Sequence, residues 1–282
     1  MRLVRYGKVG EERPGLIDGA GKLRDLGAHL GDVDARALSP EGLAALSAID
    51  VATLPEIGGE PRLGPPIAPS AVRKIVCIGL NFEDHAKETG SPIPAEPIVF
   101  LKAASAITGP FDPVRLPRGS TKSDWEVELA FVVGSRAKYV SEATALDHVA
   151  GFMTFNDVSE RNFQLERGGQ WTKGKSCDTF APMGPWLVTR DEVGDFDDLA
   201  MWCDIDGRRM QDGTSATMIF RVPEIIAYLS RMFALEPGDV VATGTPPGVG
   251  AGMKPQVFLQ PGQTMITGIE KLGTMKNPIM AD

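Results

Sequence analysis

The sequence predicts a β-rich α+β protein, and three observations carry that expectation. Gly (32) and Pro (22) are both in excess and follow no period, which points to many tight turns and against long helical bundles. Short apolar or alternating runs recur along the chain, separated by Gly- and Pro-containing turns. Only residues 223–233 form a clear amphipathic helix, with Ile225, Ile226, Leu229 and Phe233 at helical spacing. With 282 residues, 43% hydrophobic and 23% charged, the chain can bury a sizeable core as one large domain or one plus a small appendage.

Taken in order, residues 2–6, 13–17 and 22–26 are short strands between Gly-containing turns. Pro40 opens a short helix over 41–49, with Leu43, Ala44 and Leu46 on one side. Residues 55–69 (PEIGGEPRLGPPIAP) suit a semi-rigid linker. The expected division is therefore a small N-terminal α/β domain with its linker, residues 1–69, and a main domain, residues 70–282. Residues 74–79 are a buried strand, and Asn81 is placed to cap a short helix over 82–89 that Gly90 ends. A strand follows over 97–102. Residues 125–134 alternate and then turn wholly apolar, as a strand does on entering a core. Residues 141–149 read as a helix, and 151–158 as a strand running into a helix over 159–166. Further strands are expected over 185–189, 201–206, 239–243, 256–259 and 264–269.

Several functional classes are excluded or disfavoured. Lys plus Arg number 29 against 37 Asp plus Glu, a net charge of −8, so the basic footprint of a nucleic-acid or lipid-surface binder is missing. No apolar stretch is long enough for a membrane span, and the first residues lack the apolar core of a signal peptide. Cys77, Cys177 and Cys203 are few, odd in number and far apart, which excludes a disulfide scaffold and a paired-cysteine zinc site; a reducing, cytoplasmic setting is the simplest expectation. GxSxG, GxGxxG and P-loop spacings are all absent.

The most informative segment is Asp124-Trp125-Glu126-Val127-Glu128-Leu129-Ala130. Side chains two apart on a strand share a face, so Glu126 and Glu128 sit side by side. Spacing alone also suits a solvated strand face. The apolar continuation over 130–133 argues instead for a buried strand, where two like charges need a cation between them. Asp157, at the end of the apolar run 151–155, either completes such a site or caps the following helix. Three carboxylates without His or Cys suit a hard ion, Mg²⁺, Mn²⁺ or Ca²⁺, and not zinc. His85 and Glu88 lie three apart on the short helix 82–89, as an exposed pair or as a general base for water. The loop Trp171-Thr172-Lys173-Gly174-Lys175-Ser176 offers lysines that either are solvated or hold an anionic substrate. The loop from Gly244 to Gly250 is either a plain turn or brings backbone N–H groups and the Thr245 hydroxyl to a carboxylate.

In combination these segments resemble the fumarylacetoacetate hydrolase family. The resemblance rests on Ile78-Gly79-Leu80-Asn81, Asp84-His85-Ala86 with Glu88, the segment 124–130, Phe155-Asn156-Asp157-Val158-Ser159, Lys173-Gly174-Lys175-Ser176, and Gly238-Asp239 followed by Thr243-Gly244-Thr245-Pro246. It covers residues 70 to about 272. It implies a mixed β-roll catalytic domain, a homodimer, and one divalent ion per site, Mg²⁺ or Mn²⁺ with Ca²⁺ admissible. Carried over, Glu126, Glu128 and Asp157 match metal ligands, and His85 and Glu88 the water-activating pair on a lid. Lys175 matches a lysine facing the substrate, with Lys173 as its neighbouring alternative, Gln164 a substrate-contacting glutamine, and Thr245 the threonine near the substrate carboxylate. Residues 167–180 are similar to a bacterial subgroup often labelled ureidoglycolate lyase, whose members hydrolyse 2,4-diketo-3-deoxy-L-rhamnonate or L-fuconate to pyruvate and lactate. The implied partner is thus a small diketo acid. Competing readings are an oxaloacetate decarboxylase, an acylpyruvate hydrolase, a ureidoglycolate lyase, and a non-catalytic binding protein with a structural ion.

Overall fold

The computed structural model describes residues 1–282. In chain order its elements are β1 (Arg2–Tyr6), β2 (Arg13–Ile17), β3 (Leu23–Asp25), α1 (Pro40–Ser47), β4 (Ile75–Gly79), α2 (Glu83–Thr89), β5 (Ile98–Lys102), β6 (Ile107–Thr108), β7 (Val114–Leu116), β8 (Ser123–Asp124) and β9 (Val127–Val133). The second half adds α3 (Glu142–Ala145), β10 (Val149–Asn156), β11 (Ser159–Glu160), α4 (Arg161–Leu165), α5 (Thr172–Lys175), β12 (Ala181–Thr189), α6 (Arg190–Val193), β13 (Ala200–Ile205), β14 (Arg208–Thr214), α7 (Val222–Met232), β15 (Val240–Ala242), β16 (Thr264–Ile269) and β17 (Gly273–Ala281). One mixed sheet runs β3-β2-β1-β12-β10-β9-β15-β4-β5, with β6 joined to β12. A second runs β14-β13-β16-β17-β7, and β8 and β11 make a two-stranded ribbon. The expected β-rich α+β class is what forms.

Burial explains the apolar runs. Every residue of β9 and β10 is buried, so these strands are covered on both faces and lose a simple alternation along much of their length. In α7, Pro223 sits in the first turn, where its missing N–H costs nothing, and Ile225, Ile226 and Leu229 turn inward. The first 69 residues do not stand apart. β1 pairs antiparallel with β12 through Leu3 and Leu187, and Leu3, Leu16 and Leu38 share one core cluster with Phe131 and Ile226. The Pro/Gly-rich stretch thus breaks the composition without breaking the sheet.

Other expectations shift in detail. The helix expected over 159–166 is preceded by the ribbon strand β11, with the Glu160 carboxylate accepting from Asn162 N at its cap. The expected helix over 141–149 shrinks to α3 and a single 3₁₀ turn. Residues 256–259 form no strand. Val257 N donates to Gly250 O and Leu259 N to Ser123 O, so the segment bonds to two different places and joins no ladder. Asn81 does not cap α2. Its buried amide donates to Phe220 O and Thr243 O and accepts from Phe220 N, clamping three segments; Phe82 holds the cap position instead.

Strand direction decides where a site can lie. β4 and β15 are parallel, and β9 runs antiparallel to both β15 and β10. The C-terminal ends of β4, β10 and β15 and the start of β9 therefore meet at one end of the sheet. Leu80 and Asn81, Asp157, Gly244 and Thr245, and Glu126 and Glu128 all fall there.

Candidate active site

Glu126, Glu128 and Asp157 are all buried, and one ligand atom of each lies within 4.8 Å of the others. Strand geometry aligns Glu128 opposite Phe155 and Val127 opposite Asn156. Just beyond the ladder, Glu126 N donates to the Asn156 side-chain oxygen at 3.0 Å and Asp157 N donates to Glu126 O at 2.8 Å. This crossing draws the three carboxylates together. Asp157 thus points inward and serves no helix cap.

Cations crowd the acids. Lys175 Nζ lies 2.7 Å from Glu126 Oε2 and 2.8 Å from Asp157 Oδ2. Lys102, fully buried, donates to Asp157 Oδ1 and to Val158 O. Arg161 Nη2 is 2.7 Å from Glu126 Oε1 and 2.8 Å from Asp124 Oδ2, and its Nη1 donates to Gln164 Oε1 at 3.0 Å. Burial pushes the Glu126 carboxyl up, but Lys175 and Arg161 outweigh it and hold the group at about 2. Burial lowers the Lys175 ammonium, and Asp157 and Glu126 more than reverse that. Glu128 is the exception. Burial and then the charges of Asp157 and Glu126 raise it well above the usual carboxylate range. Its hydrogen-bond partner is one backbone group, Gly244 N at 2.9 Å. Gly244 holds φ +98°, where a side chain is strained, and a Cβ there would meet Asn81 Cβ at 2.8 Å.

This donor set fits a divalent ion. Its ligands are oxygens only, clustered and buried, and Glu128 is a carboxyl with no basic side chain bonded to it, which a cation would let ionise. Glu126, Glu128 and Asp157 are the residues that can hold it.

The His85–Glu88 pair forms as well. His85 Nδ1 is 2.9 Å from Glu88 Oε2, and Glu88 Oε1 accepts from Gly248 N at 2.9 Å. A carboxylate only accepts, so the Nδ1 proton faces Glu88 and Nε2 is left as the base. Because Glu88 bonds the 244–250 loop, α2 is docked against that loop, with His85 and Thr89 in the cavity wall. His85, Glu126, Glu128, Lys175 and Thr245 all line this cavity of about 340 Å³.

The two lysines of the 171–176 loop part company. Lys175 enters the cavity because Gly174 lets α5 press against α4; a Cβ at Gly174 would meet Glu160 O at 2.4 Å. Lys173 is exposed, donates to Arg167 O and does not line the cavity, contrary to the expectation that it binds substrate. The helical turn sends alternate residues to opposite sides. Gln164 is buried and lines the cavity. Thr245 also lines it, but its hydroxyl donates to Val127 O and accepts from Gln211 Nε2, so that proton is committed to the fold.

Sequence reasoning missed Arg161, Lys102, Asp124 and Gln211. Asp124 anchors the same loop, accepting from Gly250 N at 2.7 Å and Ala251 N at 2.9 Å while paired to Arg161. Gln211 accepts from Val127 N and donates to Thr245 and Pro246, bracing the start of β9. A buried charge next to an acidic pair demands a counter-charge, which is a signal for a basic residue without an address for it.

Comparison with known proteins gives the family and the fold. Residues 74–280 match the family described as "Fumarylacetoacetate (FAA) hydrolase C-terminal". A Burkholderia cenocepacia relative, named only "Putative hydrolase", is 57% identical over 274 residues, covering 97% of this chain and 96% of that one. Among solved structures, a fumarylacetoacetate hydrolase from Exiguobacterium antarcticum is 34% identical with a TM-score of 0.89, covering all of both chains. A 2-hydroxyhepta-2,4-diene-1,7-dioate isomerase from Mycobacterium marinum is 33% identical with a TM-score of 0.77, covering 100% of this chain and 99% of that one.

Proposed function

Because the chain belongs to the fumarylacetoacetate hydrolase family, we propose that it is a metal-dependent hydrolase that cleaves a carbon–carbon bond of a 2,4-diketo acid. The observation that carries this reading is that one cavity is lined by Glu126 and Glu128 of an oxygen-only ligand set and by His85 of a His–carboxylate pair. Bound Mg²⁺ or Mn²⁺, with Ca²⁺ also compatible with the ligands, supplies a Lewis acid for the keto oxygens. His85 Nε2 takes a proton from water, and Glu88 orients the imidazole and balances its charge. The water oxygen bonds to the 4-keto carbon, the C3–C4 bond breaks, and its electron pair leaves as pyruvate enolate. The enolate then takes a proton at C3. Lys175 stabilises the enolate oxygen as charge develops there. Thr245 lies toward the carboxylate end, Gln164 contacts the tail, and docking of α2 against the 244–250 loop limits the access of bulk water.

Within that class, 2,4-diketo-3-deoxy-L-rhamnonate or L-fuconate, giving pyruvate and lactate, is our proposed substrate. It rests on the likeness of residues 167–180 to the subgroup that uses these acids. Isomerisation is the second reading, because the solved Mycobacterium marinum structure bears an isomerase title. It moves a proton and needs no activated water, and the His85–Glu88 base can serve either reaction, so the products decide between them. The test is mass analysis of products from 2,4-diketo acids, 2-hydroxyhepta-2,4-diene-1,7-dioate, oxaloacetate and ureidoglycolate with added Mg²⁺ or Mn²⁺. Pyruvate plus an acid carrying one solvent oxygen is expected from the diketo acids alone. A product of unchanged mass from the diene-dioate, with no cleavage of any diketo acid, overturns the hydrolase reading.

A further inference from the structure

We propose that the cavity selects α-keto acids whose far end is uncharged and rejects dicarboxylates. The inference rests on the reading above that the cavity takes an α-keto acid, and it adds which tail that acid carries. Only two cationic side chains with a permanent charge, Arg161 and Lys175, line the cavity. Both are committed. Arg161 is held by Asp124 and Glu126, and Lys175 by Glu126 and Asp157. Glu126 and Glu128 put further negative charge into the same wall. The head of an α-keto acid already draws on the ion and Lys175, so no cation is left for a second carboxylate.

The rest of the wall is neutral. Phe100, Leu165, Trp171 and Val249 make its apolar part, with the Phe100 and Trp171 rings packed edge to face at 5.3 Å. Thr89, Ser91, Gln164 and Gln256 make its uncharged polar part. Gln164 gives its oxygen to Arg161 and keeps its amide N–H₂ without a protein partner. Gln256 gives its N–H₂ to Ala251 O and keeps its oxygen. One donor and one acceptor of this kind suit hydroxyl groups, which do both. Thr89 and Gln256 stand at the open rim, but a carboxylate drawn in beside the buried Gln164, Phe100 and Val249 would lose water, gain no counter-charge and approach two acids.

The test uses the metal-loaded protein and two ligands that share a six-carbon chain and differ only at its end. 2-Oxohexanoate ends in a methyl group and 2-oxoadipate in a carboxylate. Neither has a 4-keto group, so neither can be cleaved. Calorimetric titration with saturating Mg²⁺ should show 2-oxohexanoate binding at least about 10-fold more tightly, given what an unpaired buried carboxylate costs. Equal affinity, or tighter 2-oxoadipate, overturns the proposal. Binding of neither overturns it too, together with the α-keto acid reading. Leu165→Arg adds a cation at the rim, where Leu165 is 53% exposed. It should narrow the gap about 2–5-fold, as an exposed ion pair does; an unchanged gap means that the missing cation does not set the preference. Turnover of 2,4-dioxohexanoate is read separately. A clear preference without any cleavage retires the hydrolase reading and leaves the selectivity standing.

Discussion

Lys175 Nζ sits 2.7 Å from Glu126 Oε2, so a side chain expected to serve the substrate also neutralises the acid cluster. It bridges to Asp157 at 2.8 Å and is only 2% exposed. Removing one partner of a buried ion pair strands the other. Lys175→Met should destabilise the metal-free protein by about 3–5 kcal/mol. Added Mg²⁺ should restore more stability to the variant than to the parent, because the stranded carboxylates bind it. Thermal unfolding with and without Mg²⁺ checks this; equal metal-induced shifts in the two proteins speak against the pairing.

His85 is tied to Glu88 at 2.9 Å, and Glu88 to Gly248 N at 2.9 Å, while neither hydrogen-bonds to Glu126, Glu128 or Asp157. His85→Ala should therefore keep metal stoichiometry and lower turnover of a diketo acid about 10²–10⁴-fold, the usual worth of a positioned general base. Near-normal turnover with full metal content would take His85 out of the chemistry.

A second charged cluster fastens the N-terminal strands to the rest. Arg62 donates to Glu12 Oε1 at 2.9 Å and, through Nε, to Asp112 Oδ1 at 2.7 Å, and Arg5 Nη2 lies 3.4 Å from Glu12 Oε2. Burial raises the Glu12 carboxyl, but the Arg62 hydrogen bond, its own backbone and Arg5 together bring it below its ordinary value. A carboxyl lowered by folding stabilises the fold above its unfolded pKa, and that contribution is lost as pH falls through the lower folded value. Glu12→Gln should cost about 1–3 kcal/mol near neutral pH. The gap from the parent should shrink steadily below about pH 4. A gap independent of pH would show that the charge of Glu12 is not what fastens the strands.

Much of the site was legible because strand geometry is local. The alternation Glu126, Val127, Glu128 fixes a shared face from three adjacent residues, and Asp157 follows from the end of an apolar run. Arg161 and Lys102 were not legible, since their partners lie 35 to 55 residues away and nothing nearby marks them. Asn81 misled because an Asn before a helix usually caps it, whereas tertiary contacts claimed its amide. The hairpin of β13 and β14 did have a signal. Asp206 and Gly207 both hold positive φ, at 51° and 78°, the Asp-Gly turn that joins two strands. The charged, exposed residues of β14 masked the strand that follows it. β17 was hidden because Lys276, Asn277 and Pro278 in its middle read as a turn, although its buried and exposed residues alternate.

The most direct measurement is a titration of the metal-stripped protein with Mn²⁺, followed by spin resonance or calorimetry, beside Glu126→Gln and Glu128→Gln. One saturable site per chain is expected in the parent. Each variant should remain folded and lose affinity by more than the roughly 10–100-fold that loss of an outer partner costs. Binding that does not saturate at one ion, or that survives both substitutions unchanged, would contradict a metal centre built on Glu126, Glu128 and Asp157.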